Sequence, residues 1–290
     1  MQLRRKVPIA IERYVLSGAI LSLLVILYAP LLIHWVDGWL SKNISLEHEY
    51  YSHGLIGLPF AAYICWGKWD RWRQLPNAPH PLGAILLLLA GVFYLSGLSD
   101  LVNLSLPMIL AGLCLWLKGI PGFQLHRFPL LLVFLATPTE VPYLLAPYTL
   151  PLQHFIAGTA AFILSQLGMN VTVEQIYLLV GGRVVEIAPY CAGLKMLFTS
   201  LYVSLLLLYW TGALASRTKT ILLLLSTVVL SVTANIIRNT VLTFFHGTGQ
   251  EQAFRWLHEG WGGDLYSACM LILLIPLLTG IEKFFSPALE

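Results

Sequence analysis

Charge is scarce in this 290-residue chain: Asp, Glu, Lys and Arg make up 11% of it, against about 25% in ordinary soluble domains. The 17 basic and 14 acidic residues leave a net charge of +3 spread over the whole length. No basic face exists to neutralise a phosphate backbone, so nucleic acid is excluded as a partner. Only four cysteines occur, Cys65, Cys114, Cys191 and Cys269, far apart and without a CxxC pair, which removes a disulfide framework and a zinc knuckle. No HExxH spacing, internal repeat or low-complexity tract is visible.

Apolar residues fill the space that charge leaves. They make up 58% of the chain, and the mean hydropathy is +0.77, values of an integral membrane protein. A helix crosses about 30 Å of hydrocarbon with about 20 apolar residues. On that ruler seven spans are expected, over residues 14–35, 54–66, 81–98, 101–117, 191–210, 221–245 and 261–281. An eighth, 128–137, is shorter and is interrupted by Pro138 and Pro142, so it is expected to be a short or broken crossing. The first span follows a basic stretch, but residues 33–37 offer no small-x-small cleavage site, and a retained anchor is expected.

Eight crossings with an inside N-terminus sort the charges by side. Arg4, Arg5, Lys6, Arg13, Lys68, Arg71, Arg73, Lys118, Arg127, Arg217, Lys219 and Lys283 fall inside, 12 of the 17 basic residues, as short cytoplasmic loops require. Ten of the 14 acidic residues fall outside. Parity then forbids a full crossing by residues 143–167, which are expected to form an interfacial or re-entrant helix. Residues 171–187, rich in Val, Ile and Tyr around Gly181-Gly182, predict a small extracytoplasmic hairpin. Trp35, Trp66, Trp210 and Trp261 at span ends suit an interfacial belt. The expected fold is a single all-α polytopic membrane bundle over residues 1–290.

An ionisable residue at a membrane boundary is costly unless it is paired or lines a cavity. Three such residues fall at the outward ends of different spans: Cys191 in Pro-Tyr-Cys-Ala-Gly-Leu-Lys, Arg238 in Asn-Ile-Ile-Arg-Asn, and His258 in Trp-Leu-His-Glu-Gly-Trp-Gly-Gly. Together they make a thiol acyl-transfer set. A thiolate is the nucleophile and is favoured by a helix N-terminus, where Cys191 is expected to sit. Imidazole exchanges protons near neutral pH, and a guanidinium stabilises an oxyanion. Packing, snorkelling and ordinary loop positions are the competing readings of the same three residues. For Cys65, Cys114 and Cys269, inside helices, packing as small hydrophobes is expected.

Lys195 and Asn235 flank the first two groups, and His53 opens the second span; all three are candidates to bind substrate. His48, His53, His246 and His258 lack the spacing of a metal site, and no metal or cofactor is expected. A small transporter or non-enzymatic scaffold is the alternative class. It would place polar groups near the midplane and symmetry between halves, whereas the span centres here are Leu, Ile, Val and Ala.

These motifs resemble the exosortase/archaeosortase family of membrane-embedded cysteine transpeptidases and proteases. The resemblance rests on Tyr51-Ser52-His53-Gly54, Phe128-Pro129 with Pro138 after it, Cys191-Ala192-Gly193-Leu194-Lys195, Asn235-x-x-Arg238, and His258 followed by Gly260. It covers nearly the whole chain, and the length is similar to that of the cyanobacterial branch, the cyanoexosortases. It implies Cys191 as nucleophile, Arg238 as transition-state stabiliser and His258 as acid/base. It also implies exported protein substrates with a C-terminal tail of Pro-Glu-Pro-like motif, transmembrane helix and basic cluster, cut on the outer face of the cell inner (plasma) membrane among its lipids. Lys195 departs from the arginine that the family more often carries there.

Overall fold

The computed structural model describes residues 9–41, 46–188, 193–258 and 260–285. It is helical almost throughout, with α1 at Ile9–Leu40, α2 at Leu46–Tyr51, α3 at Gly54–Gly67, α4 at Trp69–Gln74, α5 at Pro81–Leu95 and α6 at Ser99–Ala136. After these come α7 (Val141–Leu145), α8 (Leu150–Gln166), a small sheet, α9 (Leu194–Trp210), α10 (Arg217–Gly247), α11 (Glu251–His258), α12 (Trp261–Ile272) and α13 (Leu274–Phe285). Four stretches are long and apolar enough to cross a bilayer: Gly18–Leu40, Ser99–Ala136, Arg217–Gly247 and Trp261–Phe285. Three shorter apolar helices, α3, α5 and α9, accompany them.

The 38-residue α6 is a helical hairpin folded at Gly119, whose φ of 62° and ψ of −156° break the helix. Its two ends meet: Asn103 Nδ2 donates to the Pro138 carbonyl at 3.0 Å, and the Glu140 N–H donates to Asp100 Oδ2 at 3.1 Å. The arms rise about 30 and 26 Å at 1.5 Å per residue, so only antiparallel arms can bring those ends together. Glycine is required at the fold because a Cβ on Gly119 would lie 2.3 Å from the Ala78 carbonyl oxygen. The second arm is longer than the expected 128–137 span. It also contains Gln124, His126 and Arg127; α4 shelters His126, whose ring packs on Trp72 at 5.0 Å, Lys68 Nζ donates to the Leu125 carbonyl at 2.8 Å, and Gln124 and Arg127 stay exposed.

α5 lies antiparallel to the first arm, with Gly83 against residues 115–116 and Gly112 against Leu87. The second arm packs on α3 and α9 through Ala61, Ile64, Phe128, Leu132, Ala136, Tyr202 and Leu206. Phe128 of the Phe-Pro motif stacks on Tyr209 at 4.4 Å and 7°, a packing role. α9 and α10 run antiparallel, tied by a 2.8 Å hydrogen bond between the Ser204 and Thr227 hydroxyls. Such bonds in a bilayer contribute about 0.6 kcal/mol on average.

α10, with 31 residues, is about 46 Å long and outreaches the hydrocarbon. Its far end carries α8 and the sheet: Ile156, Ala157, Leu178, Val180 and Ile187 bury against Ile236, and Gly181 abuts Gly247. The sheet is not a lone hairpin but a three-stranded antiparallel meander of Val171–Glu174, Tyr177–Val180 and Arg183–Glu186. The Gly181-Gly182 turn has both φ values positive, 59° and 77°, the hand that suits a tight hairpin. The additional turn passes through Gln175 at φ 59°, which no glycine announces. Trp66, Trp210 and Trp261 are exposed as a belt requires, but Trp35 is fully buried. Its Nε1 donates to Asn103 Oδ1 at 2.8 Å, so Trp35 joins α1 to α6 instead of facing the interface.

Candidate active site

α3, α9 and α12 begin, and α1 ends, around one cavity of about 720 Å³. His53, Lys195, Asn235, Arg238 and His258 all line it. Residues that lie far apart in sequence meet there: His53 and Lys195 at the N-terminal ends of α3 and α9, Asn235 and Arg238 within α10, and His258 at the C-terminal end of α11.

His53 is 5% exposed, one residue ahead of α3. A carbonyl can only accept, so its Nε2, 3.1 Å from the Leu135 oxygen, carries the proton and donates. Its Nδ1 is buried without a partner among the described residues. Burial holds the imidazole well below the ordinary histidine range, at about 4, against a smaller opposing pull from the Leu135 carbonyl. Neutral at physiological pH, His53 therefore offers a lone pair. Neighbours of the Tyr-Ser-His-Gly motif hold it in place: Tyr51 Oη bonds Thr139 Oγ1 at 2.9 Å, Tyr202 packs on the His53 ring at 4.4 Å, and Gly54 leaves room for Trp39.

Gly193 caps α9 in the left-handed region at φ 89°, and a Cβ there would lie 2.7 Å from Asn235 Cγ. Conformation and space both demand glycine. Gly193→Ala is expected to cost about 1–3 kcal/mol from the backbone alone, seen as a lower unfolding temperature of the purified protein in detergent; an unchanged temperature would refute this. Asn235, 1% exposed, has neither Nδ2 nor Oδ1 bonded among the described residues. Three residues on, Arg238 shares its face of α10. The guanidinium reaches Gly263 at the start of α12, and its Nε is buried without a partner among the described residues. Each such group costs about 1–3 kcal/mol when its bond is left unmade. Unsatisfied donors and acceptors from the start of α3 and from α10 thus converge on one space.

The transmembrane exosortase family model matches residues 35–275. The chain belongs to the transmembrane exosortases. No curated protein and no solved structure matches it. The family is one of proteases and transpeptidases, which makes the chain a multi-pass, membrane-embedded processing enzyme. The matched stretch takes in the whole cavity lining, from Trp39 to Leu271.

In this exosortase His258 ends α11. Phe254, one turn earlier, stacks on it at 5.1 Å and 11°, and His246 covers the other side of Phe254 at 5.1 Å. Arg183 of the sheet pairs with Glu251 in the first turn of α11, fixing the helix that carries His258. Spacing analysis missed Phe254, although an aromatic four residues before a helical histidine is a readable signal.

Cys191 lies outside the described residues. Among the described residues, the helix expected to open with it starts at Leu194, after a left-handed Gly193. Cys65 and Cys114 are half-buried and Cys269 is exposed on α12; none lines the cavity, and Cys269 is not the packed residue expected. Of the four histidines weighed for a metal, His48, His53 and His258 line the cavity, whereas His246 lies against Glu251. No group of three or more metal-ligating side chains forms among the described residues. The cavity also gains Ser52 of the Tyr-Ser-His-Gly motif, and Asp264 and Ser267, which no motif singled out.

Proposed function

We propose that this exosortase is a cysteine transpeptidase or protease that removes C-terminal sorting tails from exported proteins through a thioacyl intermediate on Cys191. One observation carries the reading: Arg238 and His258 line a single cavity with Gly193, two residues after Cys191. His258 takes the thiol proton of Cys191, and the thiolate adds to the scissile carbonyl carbon. The C=O electron pair moves to oxygen, whose charge Arg238 holds. When that pair returns, the C–N bond breaks and the leaving amine takes the proton from His258. An acceptor nucleophile, water in a protease or an amine in a transpeptidase, then discharges the thioester. Lys195, His53 and Asn235 bind the substrate around this centre.

The substrate tail carries a Pro-Glu-Pro-like motif, a transmembrane helix and a basic cluster. The enzyme crosses the inner (plasma) membrane eight times as one domain, and the charge bias puts the cavity on the extracytoplasmic face. A membrane-anchored reporter ending in such a tail should be trimmed at the motif when co-expressed with the enzyme, and an untrimmed reporter would refute the assignment. A variant retaining only Cys191 should be labelled by a membrane-impermeant maleimide in intact cells. Labelling that requires opening the cytoplasmic side would overturn the orientation.

A further inference from the structure

We infer that the Asn235 carboxamide is a second donor to the scissile carbonyl oxygen, beside Arg238, a role that rests on the thioacyl reading above. Asn235 is 1% exposed and lines the cavity, yet both amide atoms lack partners among the described residues. Its backbone is engaged, since Asn239 Nδ2 donates to the Asn235 carbonyl at 2.9 Å. An amide whose only duty is packing gains nothing from its polarity here, and an apolar side chain of the same shape would serve better. A ligand that both donates and accepts accounts for it, and a peptide group does both.

Position supplies the second part. The Asn235 amide presses on Gly193, with Cγ and Nδ2 where a Cβ of that residue would go. It is therefore the side-chain amide packed against the segment that follows the nucleophile. When the Cys191 thiolate adds to the carbonyl carbon and the C=O pair moves to oxygen, Nδ2–H donates to that oxygen until the pair returns and the C–N bond breaks. Oδ1 accepts a main-chain N–H of the substrate. Arg238, one turn along the same face, brings the positive charge, and Asn235 brings a neutral, short, rigid donor.

The test uses a parent enzyme in which Cys65, Cys114 and Cys269 are alanine, with Asn235→Leu and Asn235→Ala made in it. Three rates or midpoints are read: cleavage of the tailed reporter, alkylation of Cys191 by iodoacetamide, and thermal unfolding in detergent. Alkylation uses the same thiolate but forms no oxyanion. Both variants are expected to lose turnover by about 100-fold or more, the scale for deleting one oxyanion donor, with the alkylation rate unchanged. Asn235→Leu should unfold no earlier than the parent. Alkylation falling in step with turnover would make Asn235 a support for the nucleophile segment and overturn the inference, as would full turnover in either variant. If iodoacetamide leaves the parent fully active, the thioacyl reading itself fails and takes the inference with it.

Discussion

Cys191→Ala and Cys191→Ser enzymes are expected to leave a tailed substrate uncut while accumulating in the membrane like the parent. Deleting the nucleophile of a hydrolase that works by covalent catalysis typically costs about 10⁶-fold in turnover, which here means no detectable product. Serine is as telling as alanine, because a hydroxyl is far less acidic than a thiol. The remaining cysteines set the control. Cys65 and Cys114 are half-buried, and Cys269 is exposed on α12 between the cavity-lining Ala268 and Met270. Their alanine variants should keep most activity. Rates of tail cleavage at matched protein levels decide the matter, and normal processing by Cys191→Ala would end the covalent mechanism.

Arg238→Lys is the second large effect. An arginine that merely anchors a helix sends its head into water, and lysine replaces it at little cost. Arg238 instead lies against Gly263 with its Nε buried and unbonded among the described residues. Lysine keeps the charge but has no Nε–H and no planar fork. Turnover is therefore expected to fall roughly 100- to 1000-fold, the equivalent of about 2.7–4 kcal/mol, with the substrate still captured. The measurement is the cleavage rate of purified variants in nanodiscs against a fixed substrate. A fully active Arg238→Lys enzyme would reduce Arg238 to an anchor and leave the oxyanion to other donors.

The sequence carried much of this site in plain view, because boundary polarity is conspicuous where everything around it is Leu, Ile or Val. Lys195, Asn235, Arg238, His258 and His53 were marked by that contrast, and all five line one cavity. What stayed hidden depends on three-dimensional neighbours. The length of the second arm of α6 was obscured by Gln124, His126 and Arg127, which look like loop residues until the helix is seen to run through them with His126 packed on Trp72 of α4. Trp35 reads as a belt residue until its bond to Asn103 is known. The third strand needs a left-handed Gln175, which residue type alone gives no reason to expect. Gly193 was legible as part of a motif, but its reason, the Asn235 side chain in the place of a Cβ, was not.

The cavity wall is gathered from several helices rather than from any one of them. His53 enters with the second apolar run, whereas His258 and Gly263 come only with α11 and α12, near the end of the chain. A nascent chain being threaded into the membrane holds no complete pocket until those last helices have joined the bundle. A chain cut short ahead of α11 lacks the part of the wall that His258, Gly263 and Ser267 supply, and closes no such cavity.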